Sequence, residues 1–341
     1  MAYRVVIVGG GAAGMQTAIE LKSRGIEPII VERDIELGGK ARGWYKLFPT
    51  FTPAKNVIRP LAQRVKDMHI RCFYGQEVTQ IAPDGVMLRS EERIPADAVV
   101  VATGFTLFDA HRKQEYGYGL YDNVVTSVDL ERMMIGGKVT LADGSEPKRI
   151  AILHCVGSRD EKVGQKHCSK VCCITGVKQA IELKEMYPTA DVFNFYMDIR
   201  MFGPGYEELY REAQERYNVH FVRGRISEAA ETLEKRIQIK AEDTLTGRPL
   251  RMTVDMLVLL VGMSANYDNP QLAASAGLTL APNGYFKARD SFLGVVHSER
   301  EGIFFAGTAT APKSLADTLA EASLTASAVD VYLKEKFNVK S

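Results

Sequence analysis

The stretch YRVVIVGGGAAGMQTAIELK, residues 3–22, is the most informative part of this 341-residue chain for its fold. It predicts a β-branched strand at Arg4–Val8, a glycine turn at Gly9–Gly14 and a helix that begins at the end of that turn and runs over 12–22. A second apolar strand is predicted at 28–31. A strand, a helix and a second strand in this order form the β-α-β unit of a parallel sheet. The chain therefore starts like a doubly wound α/β protein.

The glycine turn has the spacing of a dinucleotide-binding site. Gly9, Gly11 and Gly14 fit G-x-G-x-x-G, in which the first glycine makes the tight turn and the second lets the backbone approach a pyrophosphate. The third glycine allows the helix to pack on the strand. Glu32 lies 18 residues past Gly14, where an acidic side chain accepts hydrogen bonds from a ribose. We therefore expect a dinucleotide at the N-terminus of the first helix.

Composition excludes several other classes of protein. Hydrophobic residues make up 46% of the chain and charged residues 25%, which is typical of a folded globular protein and excludes a disordered one. Lys and Arg total 43 against 42 Asp and Glu, so the net charge of +1 argues against a dedicated nucleic-acid binder. There is no apolar run of membrane-spanning length, and the first strand is too short for a signal peptide. We expect a cytoplasmic protein of two domains.

A second copy of the opening unit lies in the middle of the chain. The strand KRIAIL at 148–153 resembles YRVVIV at 3–8, and AIELK occurs at both 18–22 and 180–184. The second unit has 17 more residues between strand and helix than the first. It also lacks the glycine pattern, so we do not expect NAD(P)H to bind there. Further strands are expected at 97–102, 191–196, 219–222, 236–241, 255–261 and 303–306, and helices near 61–68, 206–217 and 315–336.

The additional residues of the second unit are rich in cysteine. Cys155, Cys168, Cys172 and Cys173 form the pattern C-x12-C-x3-C-C within 19 residues. Four close thiolates in a cytoplasmic protein indicate zinc or an iron–sulfur cluster. A redox-active vicinal pair of Cys172 and Cys173, and buried inert cysteines, are the alternatives.

Three neighbouring groups are not expected to bind the metal. His154 and His167 flank ligand candidates, and we expect each at the surface or beside a ligand. Cys72 stands alone and is expected to be an ordinary buried cysteine.

Four motifs resemble those of flavoproteins with two dinucleotide-binding domains. They are the glycine turn, Arg33 followed by Gly38–Gly39, Val101–Gly104, and Gly302–Gly307 before the last helix. The resemblance implies FAD, although that family usually has an acidic residue where Thr308 stands. The FAD-binding residues it implies are Gly9, Gly11, Ala12, Ala13, Gly14, Glu32, Arg33, Gly39, Lys40, Ala102, Thr103, Gly104, Gly307, Thr308, Pro312 and Lys313. A flavin favours redox-active iron over zinc at the cysteines, because zinc has no redox chemistry.

A closer resemblance lies in the text CVGSRD at 155–160 and HCSKVCCITGVKQA at 167–180. With FPT at 48–50 and GTATAPK at 307–313, it is similar to the A-type subunit of heterodisulfide reductases, which is their flavin subunit. This resemblance implies a thioredoxin-reductase-like core in which Cys155, Cys168, Cys172 and Cys173 hold a 4Fe–4S cluster. The methanogen subunits also carry C-x2-C-x2-C-x3-C-P runs, which this sequence lacks. We expect the short form found in heterodisulfide-reductase-like complexes of sulfur oxidisers.

These observations predict an α/β protein with two Rossmann-like domains. The FAD-binding domain is expected at 1–145 plus 263–341, and an insert at 146–262 resembles an NAD domain but carries the cluster. The expected function is electron transfer between FAD, the cluster and other heterodisulfide-reductase-like subunits in sulfur metabolism, and we expect a homodimer. One alternative is an NAD(P)H-dependent disulfide reductase that uses Cys172 and Cys173. Another is a non-catalytic assembly subunit with a vestigial flavin.

Lys178 is the candidate catalytic residue. It lies between the cysteine pair and the repeated helix, which we expect to begin near Ala180. If the first turn of that helix lies between the two cofactors, a lysine there places a positive charge near the N5–O4 edge of the flavin. Such a charge favours the anionic reduced flavin and raises its potential. The larger heterodisulfide reductase subunits resemble this chain in having lysine at that position. The alternative is a lysine on the solvent side of the helix.

Overall fold

The computed structural model describes residues 3–337. The strands in chain order are β1 (Arg4–Val8), β2 (Glu27–Val31), β3 (Lys46–Leu47), β4 (Thr52–Pro53), β5 (Arg71–Phe73), β6 (Val78–Ala82), β7 (Gly85–Leu88), β8 (Arg93–Pro95), β9 (Ala98–Val101), β10 (Phe105–Leu107), β11 (Val124–Thr126), β12 (Arg149–Val156), β13 (Asp191–Tyr196), β14 (His220–Arg223), β15 (Ile226–Glu231), β16 (Ile237–Asp243), β17 (Arg248–Val254), β18 (Met256–Val261), β19 (Met263–Ala265) and β20 (Ile303–Phe305). The α-helices are α1 (Ala12–Ser23), α2 (Lys55–Asp67), α3 (Ser127–Ile135), α4 (Cys172–Met186), α5 (Tyr206–Glu215), α6 (Asn269–Ala276) and α7 (Leu315–Lys336).

The chain divides into two compact units. Unit 1 contains the segment up to Arg42, Lys55–Thr106 and the segment from Ser264, whereas unit 2 contains Gly43–Ala54 and Leu107–Met263. The expected boundary near residue 263 lies close to this division. Residues 107–145, which we expected in the FAD-binding domain, belong to unit 2 because β11 pairs in parallel with β18. Segment 43–54 also belongs to unit 2, where the Tyr45 amide donates to Glu131.

The core of unit 1 is a five-stranded parallel sheet in the order β20-β9-β1-β2-β5. The central strand β1 pairs through Val6 with Ile29 on one side and Val99 on the other. Its inner residues are apolar and fully buried, as expected for a strand covered on both faces. Helix α1 packs against α7, where the Thr17 hydroxyl donates to the Ala322 carbonyl. The first β-α-β unit is therefore present as predicted.

Unit 2 contains a second five-stranded parallel sheet, in the order β11-β18-β12-β13-β14. Strand β12 is central and pairs through Ile152 with Asn194 and Val258. Helix α4 follows β12 as α1 follows β1, and β13 follows it in parallel. This arrangement confirms a second β-α-β unit and the expected α/β class. An antiparallel sheet of β15, β16 and β17 completes the unit.

Several predicted elements differ from the observed ones. Helix α2 begins at Lys55 and contains Pro60, whereas the sequence interpretation started the helix after this proline. Helix α4 begins at Cys172 instead of near Ala180, because its first two turns carry the cysteines and glycine that we read as loop. Helices α3 and α6 were not predicted; both are short, and tertiary packing supplies most of the stability of such helices.

Helix α7 is the longest in the described part of the chain, with 22 residues. The Ser314 hydroxyl accepts from the Asp317 amide and the Asp317 carboxylate accepts from the Ser314 amide, which forms a capping box at the start of the helix. Within residues 3–337, neither α7 nor any other helix combines the length and apolar character that a bilayer crossing requires.

Candidate functional site

The glycine turn of unit 1 leaves open space beside the N-terminus of α1. Gly11 is the N-cap residue and provides no side-chain cap, so the first amides of α1 remain available to a ligand. A Cβ on Gly11 would meet nothing within 4 Å. A Cβ on Gly9 would overlap the Ala102 carbonyl, and one on Gly14 would overlap the Gly9 carbonyl. The protein's own packing requires the first and third glycines, and the second borders the space where a pyrophosphate would bind.

Glu32 is fixed at the carboxyl end of β2. Its side chain is buried, and its two oxygens accept from the Gly10 amide at 2.6 Å and the Asp34 amide at 2.8 Å. The neighbouring Gly38 amide donates to the Gly10 carbonyl at 2.9 Å, and a Cβ on Gly39 would lie 3.1 Å from the Gly11 Cα. The structure therefore brings Glu32 and Gly39 to the glycine turn.

Two further predicted segments meet the same turn. The Ala102 amide donates to the Val8 carbonyl at 2.9 Å, and a Cβ on Gly307 would meet the Ala13 Cβ at 2.7 Å. The Thr103 hydroxyl is buried and has no hydrogen-bond partner among residues 3–337. A buried hydroxyl without a partner is costly, so this position fits a polar ligand. The open turn and this hydroxyl fit a bound dinucleotide.

Sequence reasoning missed Asn266. Its side-chain amide donates to the Thr103 carbonyl at 2.8 Å and is buried, so it holds the end of the segment that carries the free hydroxyl. Residue 266 is far from Thr103 in the chain and belongs to no motif, so no sequence signal could have identified it.

The predicted basic residues of unit 1 make specific protein contacts. Arg33 forms an ion pair with Asp268 at 3.0 Å and donates to the Tyr267 hydroxyl at 2.8 Å. Burial lowers the pKa of Lys40, and the nearby Arg33 lowers it further. The Lys40 ammonium lies 5.5 Å from the centre of the Phe105 ring.

The last predicted segment of unit 1 is held by Lys313. Its ammonium donates to the Gly307 carbonyl at 2.8 Å and the Thr310 hydroxyl at 2.7 Å, and it lies 3.2 Å from Glu321. Burial raises the pKa of Glu321. This residue was not among the predicted site residues. Thr308, which follows Gly307 in the chain, is buried, and Pro312 is half-buried. Lys313 therefore stabilises the Gly307 turn through these contacts.

The four predicted cysteine ligands lie at one end of the second β-α-β unit. Cys155 is the penultimate residue of β12 and has a left-handed backbone, with φ of +61°. Cys172 and Cys173 are the first two residues of α4, and Cys168 lies in the connecting loop, residues 157–171, which we call the cysteine loop. No side chain caps α4, so the positive end of its dipole is available to negative charge at the thiols.

The thiols are close enough to perturb one another. A hydrogen bond from the Cys172 thiol to Cys155 lowers the pKa of Cys155 and raises the pKa of Cys172 well above its usual range. Burial and the nearby charges of Cys173 and Cys168 raise the pKa of Cys172 further. Burial raises the pKa of Cys173 to about 11. Cys72 is half-buried in β5 of unit 1, whereas the other four cysteines belong to unit 2.

The donor set fits a multinuclear cluster. Among residues 3–337, the side chains as placed form no group of three or more His, Cys, Asp or Glu that could hold a metal ion. In a 4Fe–4S cluster, four cysteine thiolates bind different irons of one cluster. A vicinal disulfide fits poorly, because neighbouring Cα atoms are about 3.8 Å apart and most disulfides need roughly 4.4–6.8 Å. Four soft thiolates beside a helix N-terminus would suit an anionic iron–sulfur cluster.

Buried ion pairs hold the cysteine loop. Asp160 accepts from Lys113 at 2.8 Å and from Arg225 at 2.5 Å, and both carboxylate and ammonium are almost fully buried. Arg159, which precedes Asp160 in the chain, pairs with Asp198 at 2.7 Å. None of these residues was predicted, because their partners come from distant segments. The loop is therefore positioned by charge pairs as well as by packing.

The two histidines are occupied by other contacts. His154 is buried and precedes Cys155 in β12, so of the two placements expected for it, at the surface or beside a ligand, the surface one is not observed. Its Nε2 forms a 2.8 Å hydrogen bond with Asn194, and burial lowers its pKa to about 4. The His167 Nε2 forms a hydrogen bond with the Met263 carbonyl at 2.8 Å.

Lys178 is buried, with 2% of its surface exposed, so the alternative of a solvent-facing lysine is wrong. Its ammonium donates to Glu131 at 2.6 Å and to the Lys46 carbonyl at 2.9 Å, and it lies 3.2 Å from Glu182. Burial raises the pKa of Glu182 to about 7. The sequence interpretation missed these partners because Glu131 and Lys46 are distant in the chain.

Comparison with known proteins identifies the family. The chain matches the model of the pyridine nucleotide-disulphide oxidoreductase family over residues 3–326. It belongs to this family. The protein is therefore an oxidoreductase, and this membership together with the glycine turn supports a flavin cofactor.

The curated relatives of this oxidoreductase include heterodisulfide reductase subunits, in agreement with the resemblance of the cysteine-containing segments 155–160 and 167–180. The A-type iron-sulfur subunit of the CoB–CoM heterodisulfide reductase from Methanocaldococcus jannaschii is 33% identical over 97% of the chain and 64% of the relative. A subunit of the same type from Methanopyrus kandleri is 37% identical over the same shares. The chain therefore spans less than two thirds of the length of these relatives.

Solved structures show the same fold for this oxidoreductase. Thioredoxin reductase of Lactococcus lactis superposes with a TM-score of 0.68 over 98% of the chain and 99% of the neighbour, at 16% identity. The T. acidophilum thioredoxin reductase has a TM-score of 0.67 over 98% of the chain and 99% of the neighbour, at 18% identity. These values confirm the expected thioredoxin-reductase-like fold.

Proposed function

We propose that this oxidoreductase is an electron-transfer subunit with FAD in unit 1 and a 4Fe–4S cluster in unit 2. One observation carries the proposal. Four cysteines gather where the second β-α-β unit turns from strand to helix, at the position that the glycine turn occupies in the first unit. One unit therefore has an open dinucleotide cradle and the other a set of soft metal ligands.

The flavin would convert two-electron into one-electron chemistry, and the cluster would carry single electrons. Gly9, Gly11, Gly14, Glu32 and Thr103 would hold the dinucleotide through backbone approach, helix amides and hydrogen bonds. The other predicted residues of unit 1 would complete this binding site.

At Cys155, the surrounding groups favour the thiolate. The hydrogen bond with Cys172 lowers the pKa of Cys155, and Arg159, Arg225 and Arg200 lower it further against the effect of burial. The N-terminus of α4 adds a positive partial charge at Cys172 and Cys173. These groups would stabilise an anionic cluster bound by Cys155, Cys168, Cys172 and Cys173.

We also propose the cellular context. The relatives are named as heterodisulfide reductase subunits, and the cysteine text of this chain resembles theirs. This supports a short-form subunit that works with other heterodisulfide-reductase-like subunits in sulfur metabolism. We further propose that it is cytoplasmic and forms a homodimer, the latter on the family resemblance alone. Light scattering at micromolar concentration tests the homodimer, and a monomer would contradict it.

The decisive experiment is a spectroscopic one. Protein purified without oxygen should show a flavin absorption spectrum and, after reduction, the paramagnetic resonance signal of a 4Fe–4S cluster. We expect about one FAD and about four irons with matching sulfide per chain. Flavin without iron or sulfide, after attempted reconstitution, would contradict the proposal. Absence of electron exchange between flavin and cluster would instead favour the vestigial-flavin alternative.

Reduced nicotinamides provide the test of the disulfide-reductase alternative. The turn after β12 lacks the G-x-G-x-x-G pattern that would hold the phosphates of a nicotinamide nucleotide. We expect NADH and NADPH to reduce the flavin only slowly in stopped-flow experiments. Rapid bleaching by either nucleotide would overturn this expectation.

Lys178 remains our candidate for coupling the two cofactors. Its buried ammonium is held in a fixed position by ion pairs with Glu131 and Glu182. A redox titration of Lys178→Ala should show a lowered flavin potential with the cluster intact. Because loss of the ammonium leaves two buried carboxylates without their partner, Lys178→Gln provides a second variant in case the first does not fold. An unchanged potential in a folded variant would remove Lys178 from the site.

A further inference from the structure

Three arginines surround one carboxylate at the surface of unit 2. Arg159 lies in the cysteine loop, Arg200 follows β13 and Arg223 ends β14. Their guanidinium groups lie 2.7, 3.8 and 3.8 Å from Asp198, in that order. The four side chains are 24–46% exposed. One aspartate offsets only one of three positive charges, so these four side chains together carry a net positive charge.

This surface adjoins the predicted cluster ligands. Arg159 and Arg200 both act on Cys155 electrostatically, and the Cys173 thiol donates to the Asp198 carbonyl at 3.4 Å. The same segment presents Phe202, which is 62% exposed and lies 6.0 Å from the Lys170 ammonium of the cysteine loop. We call Arg159, Asp198, Arg200, Phe202 and Arg223 the arginine surface.

We propose that the arginine surface docks an acidic one-electron carrier protein of the ferredoxin class. This inference rests on the proposed function, because a carrier needs a cluster beneath its docking site. The net positive charge would attract an acidic partner and orient it on approach. Arginine and exposed aromatic side chains are also the residues enriched in protein interfaces.

The arrangement favours a protein over a small anion. The three arginines come from separate segments, and each already has the Asp198 carboxylate as a partner. Phe202 adds an exposed apolar contact, which a small anion could not use. An acidic partner protein with an apolar patch at the centre of its binding face would match both the arginines and Phe202.

The test measures binding of a small, strongly acidic 2Fe–2S ferredoxin as the probe, by calorimetry at low and physiological salt. The double variant Phe202→Ala/Arg223→Glu should weaken binding by about tenfold or more and reduce its salt dependence. Arg251→Glu, which changes an exposed arginine on β17, is the matched control and should change affinity by less than about twofold. Asp198→Asn removes the opposing charge and should tighten binding.

Each outcome separates this inference from the proposed function. Unchanged affinity in the double variant, with normal iron content, would overturn the docking surface and leave the electron-transfer role intact. Competition by RNA or heparin as effective as that of the ferredoxin would also overturn it, because the surface would then bind polyanions in general. Absence of iron from the unchanged protein would contradict the proposed function, whereas the binding measurement would still report on the surface.

Discussion

The two β-α-β units of this chain share a frame and differ at one junction. In unit 1 three residues, Gly9–Gly11, connect β1 to α1; in unit 2 fifteen residues, 157–171, connect β12 to α4. The short junction brings backbone amides to an open space, and the long one gathers thiols and buried charge pairs. Both junctions lie at the carboxyl end of a central parallel strand, where such sheets bind ligands. We therefore propose that the junction, and not the frame, selects the ligand.

The shared text AIELK shows the same difference on a smaller scale. Glu20 in α1 is partly exposed and pairs with Arg24 at 3.0 Å. Glu182, the matching residue of α4, is 1% exposed and lies 3.2 Å from Lys178. In unit 2 the Lys178 ammonium also pairs with the Glu131 carboxylate of α3, and both side chains are buried. Identical residues on equivalent helices therefore lie in different surroundings, one partly exposed and one buried.

The largest effect should come from the cysteines of the long junction. Serine at Cys155, Cys168, Cys172 or Cys173 removes a soft ligand, so each variant should lose most of its iron and sulfide. Cys72→Ser, in unit 1, is the matched control and should retain both. Iron and sulfide analysis after anaerobic purification provides the measurement. Normal iron in Cys172→Ser or Cys173→Ser would require a different ligand set.

The glycines of the short junction should have the next largest effect. Gly11→Val fills open space, so it should abolish FAD binding and leave the unfolding temperature of the FAD-free protein nearly unchanged. Gly14→Val overlaps the Gly9 carbonyl and should also destabilise unit 1 by about 2–4 kcal/mol. FAD content and thermal unfolding measure both effects.

Gly176 of α4 provides the control for that comparison, since it has the same offset from AIELK as Gly14. A Cβ there would overlap the His154 ring and the Leu260 side chain. Gly176→Val should therefore destabilise unit 2 and retain FAD. Full FAD retention in both Gly11→Val and Gly14→Val would refute the placement of the dinucleotide.

A smaller effect is expected at Glu182. Its folded-state pKa of about 7 lies above the ordinary value of 4.5, so between these values the folded state holds a proton that the unfolded state has lost. Stability should fall as pH rises through this range and level off above it. Glu182→Gln should remove the dependence and stabilise the protein by roughly 1–3 kcal/mol at pH 8.

Glu20→Gln is the matched variant for Glu182→Gln, because it changes the same residue of the repeated text. It should alter stability by less than about 0.5 kcal/mol, since Glu20 forms a surface pair. Denaturant unfolding between pH 5 and 8 measures both variants. Equal pH profiles for the two would show that Glu182 does not hold the proton.

The sequence alone was sufficient for features that depend on neighbouring residues. The β1-α1-β2 order, the glycine turn and the C-x12-C-x3-C-C spacing are local, so their chemistry could be inferred before any fold was known. The repeat of AIELK likewise predicted the second β-α-β unit, which the structure contains.

Only the tertiary structure decided which distant groups meet. It pairs Lys178 with Glu131, gathers three arginines around Asp198, and places 107–145 in unit 2 through the pairing of β11 with β18. These contacts join residues that are far apart in the chain, and no periodicity or spacing encodes them. The free energy of burying and pairing such groups depends on the packed surroundings, which exist only once the sheets have formed.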